Sequence, residues 1–143
     1  MVARTKKINL ARQQLEDGVE LFLDKRYVSA LTLLGAAEEI MSRLIEERTG
    51  AHPLDETWRI SNSIRTHFGH PHISKREIHR SFNAGRNAVK HHSPGQPLEI
   101  LHYGFGEAFM MVQRATGAAQ MLALRYKNRA RYLLWLRVNG WSK

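Results

Sequence analysis

The sequence predicts an all-α protein: an up-and-down bundle of four to five helices that ends in a basic helix. Three observations carry this. Apolar residues recur at three- and four-residue spacing through most of the chain, no segment alternates with period two for long enough to build a sheet, and glycine or proline falls between the periodic stretches. The 143 residues, 43% apolar and 24% charged, read as one domain over 1–143 with a core of its own.

The elements follow in order. Leu15, Val19, Phe22 and Leu23 draw one apolar stripe on a helix over about 8–24. Tyr27, Leu31, Leu34, Ile40, Met41, Leu44 and Ile45 mark a second over about 27–48, stopped by Gly50 with Pro53 beyond. A third, over about 54–67, turns Trp58 and Ile64 inward and breaks at Gly69-His70-Pro71. The fourth has the clearest start. Ser74-Lys75-Arg76-Glu77 is a capping box, in which the Ser hydroxyl accepts from the N3 amide while the Glu carboxylate reaches back to the cap amide. Ile78, Phe82, Gly85 and Val89 share a narrow sector of that helix, and Ser93-Pro94-Gly95-Gln96-Pro97 ends it. A fifth helix is expected from about 98, with a kink or turn near Gly117, because Gly104, Gly106 and Gly117 each cost roughly 1 kcal/mol against Ala in a helix interior. A basic, aromatic helix over about 118–138 completes the bundle.

Composition narrows the function. The absence of cysteine excludes a disulfide scaffold, a cysteine-ligated zinc site and a cysteine nucleophile. No apolar run approaches the ~18 residues that span a bilayer, and the basic first twelve residues lead into no apolar core or cleavage site. The expectation is a cytoplasmic protein with no membrane partner. The formal charge is +9 and strongly lopsided. Residues 1–57 carry eight basic and ten acidic side chains, residues 58–143 carry fourteen and three, and no carboxylate side chain follows Glu107. Such a surplus attracts polyanions and steers their approach, which makes nucleic acid the expected partner. A basic face that meets an acidic protein is the alternative.

The chemistry-bearing segment is Arg86-Asn87-Ala88-Val89-Lys90-His91-His92, at the end of the capped helix. A histidine moves protons near neutral pH, and an arginine holds a phosphate and stabilises the charge of a phosphorane. Together they suffice to cleave RNA without a metal. A base takes the 2′-hydroxyl proton, the freed oxygen attacks the adjacent phosphorus, and an acid protonates the leaving 5′-oxygen. Asn83, Asn87 and His91, spaced by four, form a polar row, whereas Arg86 and His91 lie about 140° apart around the axis. A shared site therefore needs a frayed helix end or a second copy of the helix across a two-fold.

An Arg followed by a polar residue and, four to six residues after the Arg, a His at a helix end resembles the HEPN (higher-eukaryote and prokaryote nucleotide-binding) domain. The Ala36-Ala37-Glu38-Glu39 stretch resembles that family's small-residue-plus-Glu segment, and the likeness spans roughly residues 8–125. The resemblance implies a helical bundle, a homodimer, and often metal-independent endoribonuclease activity in toxin, phage-defence or RNA-processing settings. Its partners would be an antitoxin or a nucleotidyltransferase-like protein. It implies that Arg86 and His91 are catalytic, that Asn87 supports them, and that Glu38 or Glu39 orients the Arg or the His. His92 also satisfies the spacing and competes with His91, which geometry favours. Ser93 stands where some HEPN toxins carry a modified Tyr, so that form of control is not expected.

Two further clusters remain. His67, His70 and His72 are the candidate metal ligands, with His79 further on. They straddle Gly69 and Pro71, and no carboxylate follows until Glu77, so a solvated loop and no metal or cofactor is the reading. In the tail, Arg125, Lys127, Arg129 and Arg131 interleave with Tyr126 and Tyr132, a pattern suited to RNA backbone contact and base stacking, with Lys90 as a further RNA contact. The alternative places Leu133, Leu136 and Trp135 in core or dimer contacts with the arginines solvated. The leading reading is a metal-independent endoribonuclease. The alternatives are a non-catalytic helical module that binds RNA or a nucleotidyltransferase-like partner, and a structural protein that meets an acidic subunit.

Overall fold

A computed structural model describes residues 2–141, and among these every regular element is helical. The order is α1 (Lys7–Leu23), α2 (Tyr27–Thr49), α3 (Leu54–His67), α4 (Lys75–Lys90), α5 (Gly104–Met121) and α6 (Arg129–Val138). The six elements correspond in order to the six helical stretches of the sequence, the last of them basic. The all-α bundle is as the periodicity requires, and no helix among the described residues is long and apolar enough to cross a membrane.

The core sits between α1, α2 and α5, with α6 closing one side. Ala11, Leu15, Val19 and Phe22 from α1 meet Ala30, Leu34, Ala37, Met41 and Ile45 from α2, all buried. Backbones approach closely where Gly18 faces Leu34: a Cβ on Gly18 would lie 2.7 Å from Leu34 Cγ. Gly50 ends α2 in the left-handed region (φ 75°), which its missing side chain makes cheap. Phe22 is the hub of an aromatic cluster, with Trp135 edge-on at 5.0 Å and Phe105 stacked at 6.1 Å.

α5 begins at Gly104 rather than near 98. Its buried stripe, Ala108, Met111, Val112, Ala115, Ala118 and Ala119, starts only there, while Leu98 and Leu101 are solvent-exposed. Residues 91–103 form a long connection where a short one was expected. The helix continues through Gly117, because the buried alanines on either side outweigh one exposed glycine. The break comes later, where Ala123 takes a positive φ of 51°, so the last helix is Arg129–Val138 rather than 118–138. α6 docks on α1 through polar groups. The Lys127 amide donates to Glu16 Oε1 (2.9 Å), Asn128 Nδ2 donates to the Glu16 carbonyl (2.8 Å), and Arg131 pairs with Glu20 (2.7 Å).

The α3–α4 pair is peripheral. Only Leu54 and Asn62 on α3 and Ile78 on α4 are buried. Asn62 clamps the loop between them. Its Nδ2 donates to the Ile73 carbonyl (3.0 Å), its Oδ1 accepts from the Ile73 amide (2.8 Å), and Trp58 Nε1 donates to the same carbonyl (2.7 Å). Ile64, expected inward, is half exposed with Ile60 and Phe68.

Candidate functional site

The site is built on α4, and its cap has the expected form. The Glu77 amide donates to Ser74 Oγ (3.1 Å) and the Ser74 amide donates to Glu77 Oε2 (2.6 Å), which holds the Glu77 carboxyl below its ordinary pKa. A partly buried arginine on α5 then pins the helix in place. Arg114 donates to the Phe82 carbonyl (2.9 Å) and to Asn83 Oδ1 (3.2 Å), and pairs with Glu38 of α2 at 3.1 Å. Glu38, 5% exposed, also accepts from Ser42 Oγ at 2.7 Å. A paired and hydrogen-bonded carboxylate at that depth is a structural tie between three helices. Arg114 belongs to none of the motifs that mark the sequence. Its signal was an isolated cation in phase with the apolar face of α5, opposite a Glu38 in phase with Leu34, Met41 and Ile45 on α2.

Arg86 leaves α4 on the side of α2. Its methylenes lie over Gly35, where a Cβ would collide with Arg86 Cδ and Cγ. Its Nη1 pairs with Glu39 Oε2 (3.4 Å) and its Nε donates to Asn87 Oδ1 (3.3 Å), leaving the side chain 11% exposed. Glu39 is thus the acidic residue that touches Arg86, and Glu38 serves Arg114. Beside them lies a polar recess of about 40 Å³, reached also by His52 and His79, whose rings are 4.4 Å apart. Burial first, and His79 second, push the His52 pKa below its usual value.

His91 lies elsewhere. It is the C-cap residue of α4, in extended conformation (φ −128°), with its amide donating to the Asn87 carbonyl at 3.1 Å. It faces an open cleft of about 1170 Å³ between the end of α4 and the 91–102 segment. Arg80, Asn87, Lys90, His91, His92 and His102 line it, together with the apolar Val28, Leu98 and Ile100, and no carboxylate does. His91 and His92 are both exposed, so burial does not separate the two histidines as the helical sector suggested. Arg86 does not line this cleft. Within one chain Asn87 is the link, one side chain bonded to Arg86 and facing the histidines.

The remaining candidates disperse. His67 packs edge-on against Phe68 (5.0 Å), and His72 Nε2 shares a 2.7 Å hydrogen bond with Thr66 Oγ1. His70 is exposed on its loop, and among the described residues no three metal-ligating side chains converge. Of the tail cations, Lys127 and Arg131 are engaged by Glu16 and Glu20, whereas Arg125 and Arg129 are exposed without an ion pair among the described residues. Leu136 and Tyr132 are buried and Trp135 packs on the core. No family model, curated protein or solved structure matches the chain.

Proposed function

We propose that the protein is a metal-independent endoribonuclease of HEPN type whose phosphodiester site is the cleft at the C-terminal end of α4. The observation that supports this is the cleft's lining: two cations, two amides and three imidazoles, with no carboxylate to repel a phosphate. Arg80 and Lys90 hold the RNA backbone. His91 and a second imidazole, His92, divide the proton transfers: one ring accepts the 2′-hydroxyl proton, and the other donates to the departing 5′-oxygen. The products are a 2′,3′-cyclic phosphate and a 5′-hydroxyl. Arg86, steadied by Glu39, orients Asn87 into the cleft. In the homodimer that the resemblance implies, Arg86 has a second route, reaching the phosphate at the other copy's His91.

The test is purified protein with labelled RNA and excess EDTA. Cleavage that persists with chelator and is lost in His91→Ala supports the proposal, and loss in His92→Ala alone moves the role to that ring. Mixing Arg86→Ala with His91→Ala protein restores cutting only if the site is shared between copies. Salt-sensitive RNA retention without cutting favours the second reading, a binding module for RNA or a nucleotidyltransferase-like protein. The observation that favours it is Arg86's engagement by Glu39 away from the histidines. No RNA association at low salt leaves the acidic-partner reading.

A further inference from the structure

A second groove, of about 660 Å³, lies on another face between the C-terminal half of α5 and α6, and it shares no lining residue with the α4 cleft. Its volume falls in the range of small-molecule sites. At its wall stands Gly117. The chain's other glycines take positive φ or have neighbours in contact with the position a Cβ would fill. Gly117 is mid-helix, without positive φ, and nothing lies within 4 Å of that position. As a solvent-facing position it costs α5 about 1 kcal/mol against Ala, and its missing side chain leaves this wall of the groove open.

The surrounding groups fit one chemistry. Arg125 and Arg129 are exposed, make no ion pair or hydrogen bond among the described residues, and face the groove with no carboxylate lining it. Tyr126 offers a half-buried ring as a stacking surface. Gln113 Oε1 accepts from the buried Tyr132 hydroxyl (2.8 Å), which fixes the amide and leaves its NH2 to donate, and Gln120 adds a second amide. Guanidinium groups take phosphate, a tyrosine ring takes a flat ring, and paired amides read its edge. We propose that this groove binds one nucleoside monophosphate unit, with the phosphate on Arg125 and Arg129, the base against Tyr126 over Gly117, and Gln113 and Gln120 at the base edge. The unit comes either from a free mononucleotide or from one unstacked residue of an RNA strand.

Calorimetric titration of the full chain with each of the four 5′-ribonucleoside monophosphates tests this. At least one is expected to bind saturably at 1:1, with the matching nucleoside and inorganic phosphate each weaker by about tenfold or more. Gly117→Leu, which fills the groove while favouring the helix, and the Arg125→Ala/Arg129→Ala pair should each weaken binding by about tenfold or more. Gly117→Leu should do so without lowering the melting temperature. Displacement of the mononucleotide by a single-stranded hexaribonucleotide assigns the site to RNA, and absence of displacement assigns it to a free nucleotide. Failure of all four to saturate, or wild-type affinity in a folded Gly117→Leu protein, overturns the proposal. Neither result bears on cleavage at α4.

Discussion

Glu38 and Arg114 show how one buried pair organises the site. Removing the carboxylate strands a guanidinium that is 15% exposed and already committed to the Phe82 carbonyl and Asn83. Glu38→Ala is therefore expected to destabilise the fold by about 3 kcal/mol, read as a lowered urea midpoint with an unchanged slope. A substitution at Glu39, which is half exposed, should change stability by less than about 1 kcal/mol. The His52–His79 contact gives a pH signature. Burial and the neighbouring ring hold His52 below its ordinary 6.5, so the unfolded chain takes the proton more readily than the folded one. The stability owed to the neutral ring is full above pH 6.5 and falls away as pH drops through the window beneath it. The melting temperature should decline on acidification from pH 7 to 5. His52→Asn, whose Oδ1 can still accept from the Leu54 amide as His52 Nδ1 does, should flatten that decline. Glu38 was legible as a carboxylate in phase with apolar neighbours, but its partner was not. The spacing of α2 and α5 in the sequence carries no register between them, and that register selects Arg114 rather than Arg86 as the cation that Glu38 meets.

At the scale of elements, α4 stands apart because it has a strong start and a weak floor. Its capping box is complete, yet Ile78 is its one buried residue, and its hold on the bundle runs through Arg114 and Arg86. Ser74→Ala should cost about 1 kcal/mol. It should also raise amide exchange in α4 well before exchange in α1, α2 or α5 responds, since local opening follows the thinnest packing. Elements with a local cause were readable. The Ser74 box and the Gly50 stop depend on neighbours in sequence, and both appear where expected. Elements decided by tertiary contact were not. Gly117 suggested a break, but α5 continues through it with buried alanines on either side, and the turn falls at Ala123, whose positive φ nothing in its own side chain favours. Leu98, Ile100 and Leu101 suggested a helix start, yet they have no core surface to meet and instead form one wall and the outer face of the histidine-lined segment.

For the whole molecule, the decisive property is where the surplus positive charge lies once folded. Part of it is consumed internally: Arg114, Arg86, Lys127 and Arg131 each meet a carboxylate. Among the cations left without an ion pair, Arg80 and Lys90 line the α4 cleft and Arg125 and Arg129 line the α5–α6 groove, two faces without lining carboxylates. RNA affinity should therefore fall linearly on a log–log plot against salt. Arg80→Ala/Lys90→Ala should make that slope shallower by about 1.4, at about 0.7 per phosphate contact on a single strand. The charge imbalance was visible in the sequence, but its division between internal ties and open surface was not, because pairing partners such as Glu20 and Arg131 lie on the first and last helices.

If imidazoles at the end of α4 drive attack by an RNA 2′-hydroxyl, the chemistry of the cut ends carries their signature. One strand should be prepared as RNA and as the same-sequence DNA, incubated with the protein in EDTA, and its termini identified by mass. Expected are RNA fragments ending in 2′,3′-cyclic phosphate and 5′-hydroxyl, DNA left whole, and no such ends from His91→Ala/His92→Ala protein. RNA left intact, or cut to 3′-hydroxyl and 5′-phosphate ends, would contradict that mechanism.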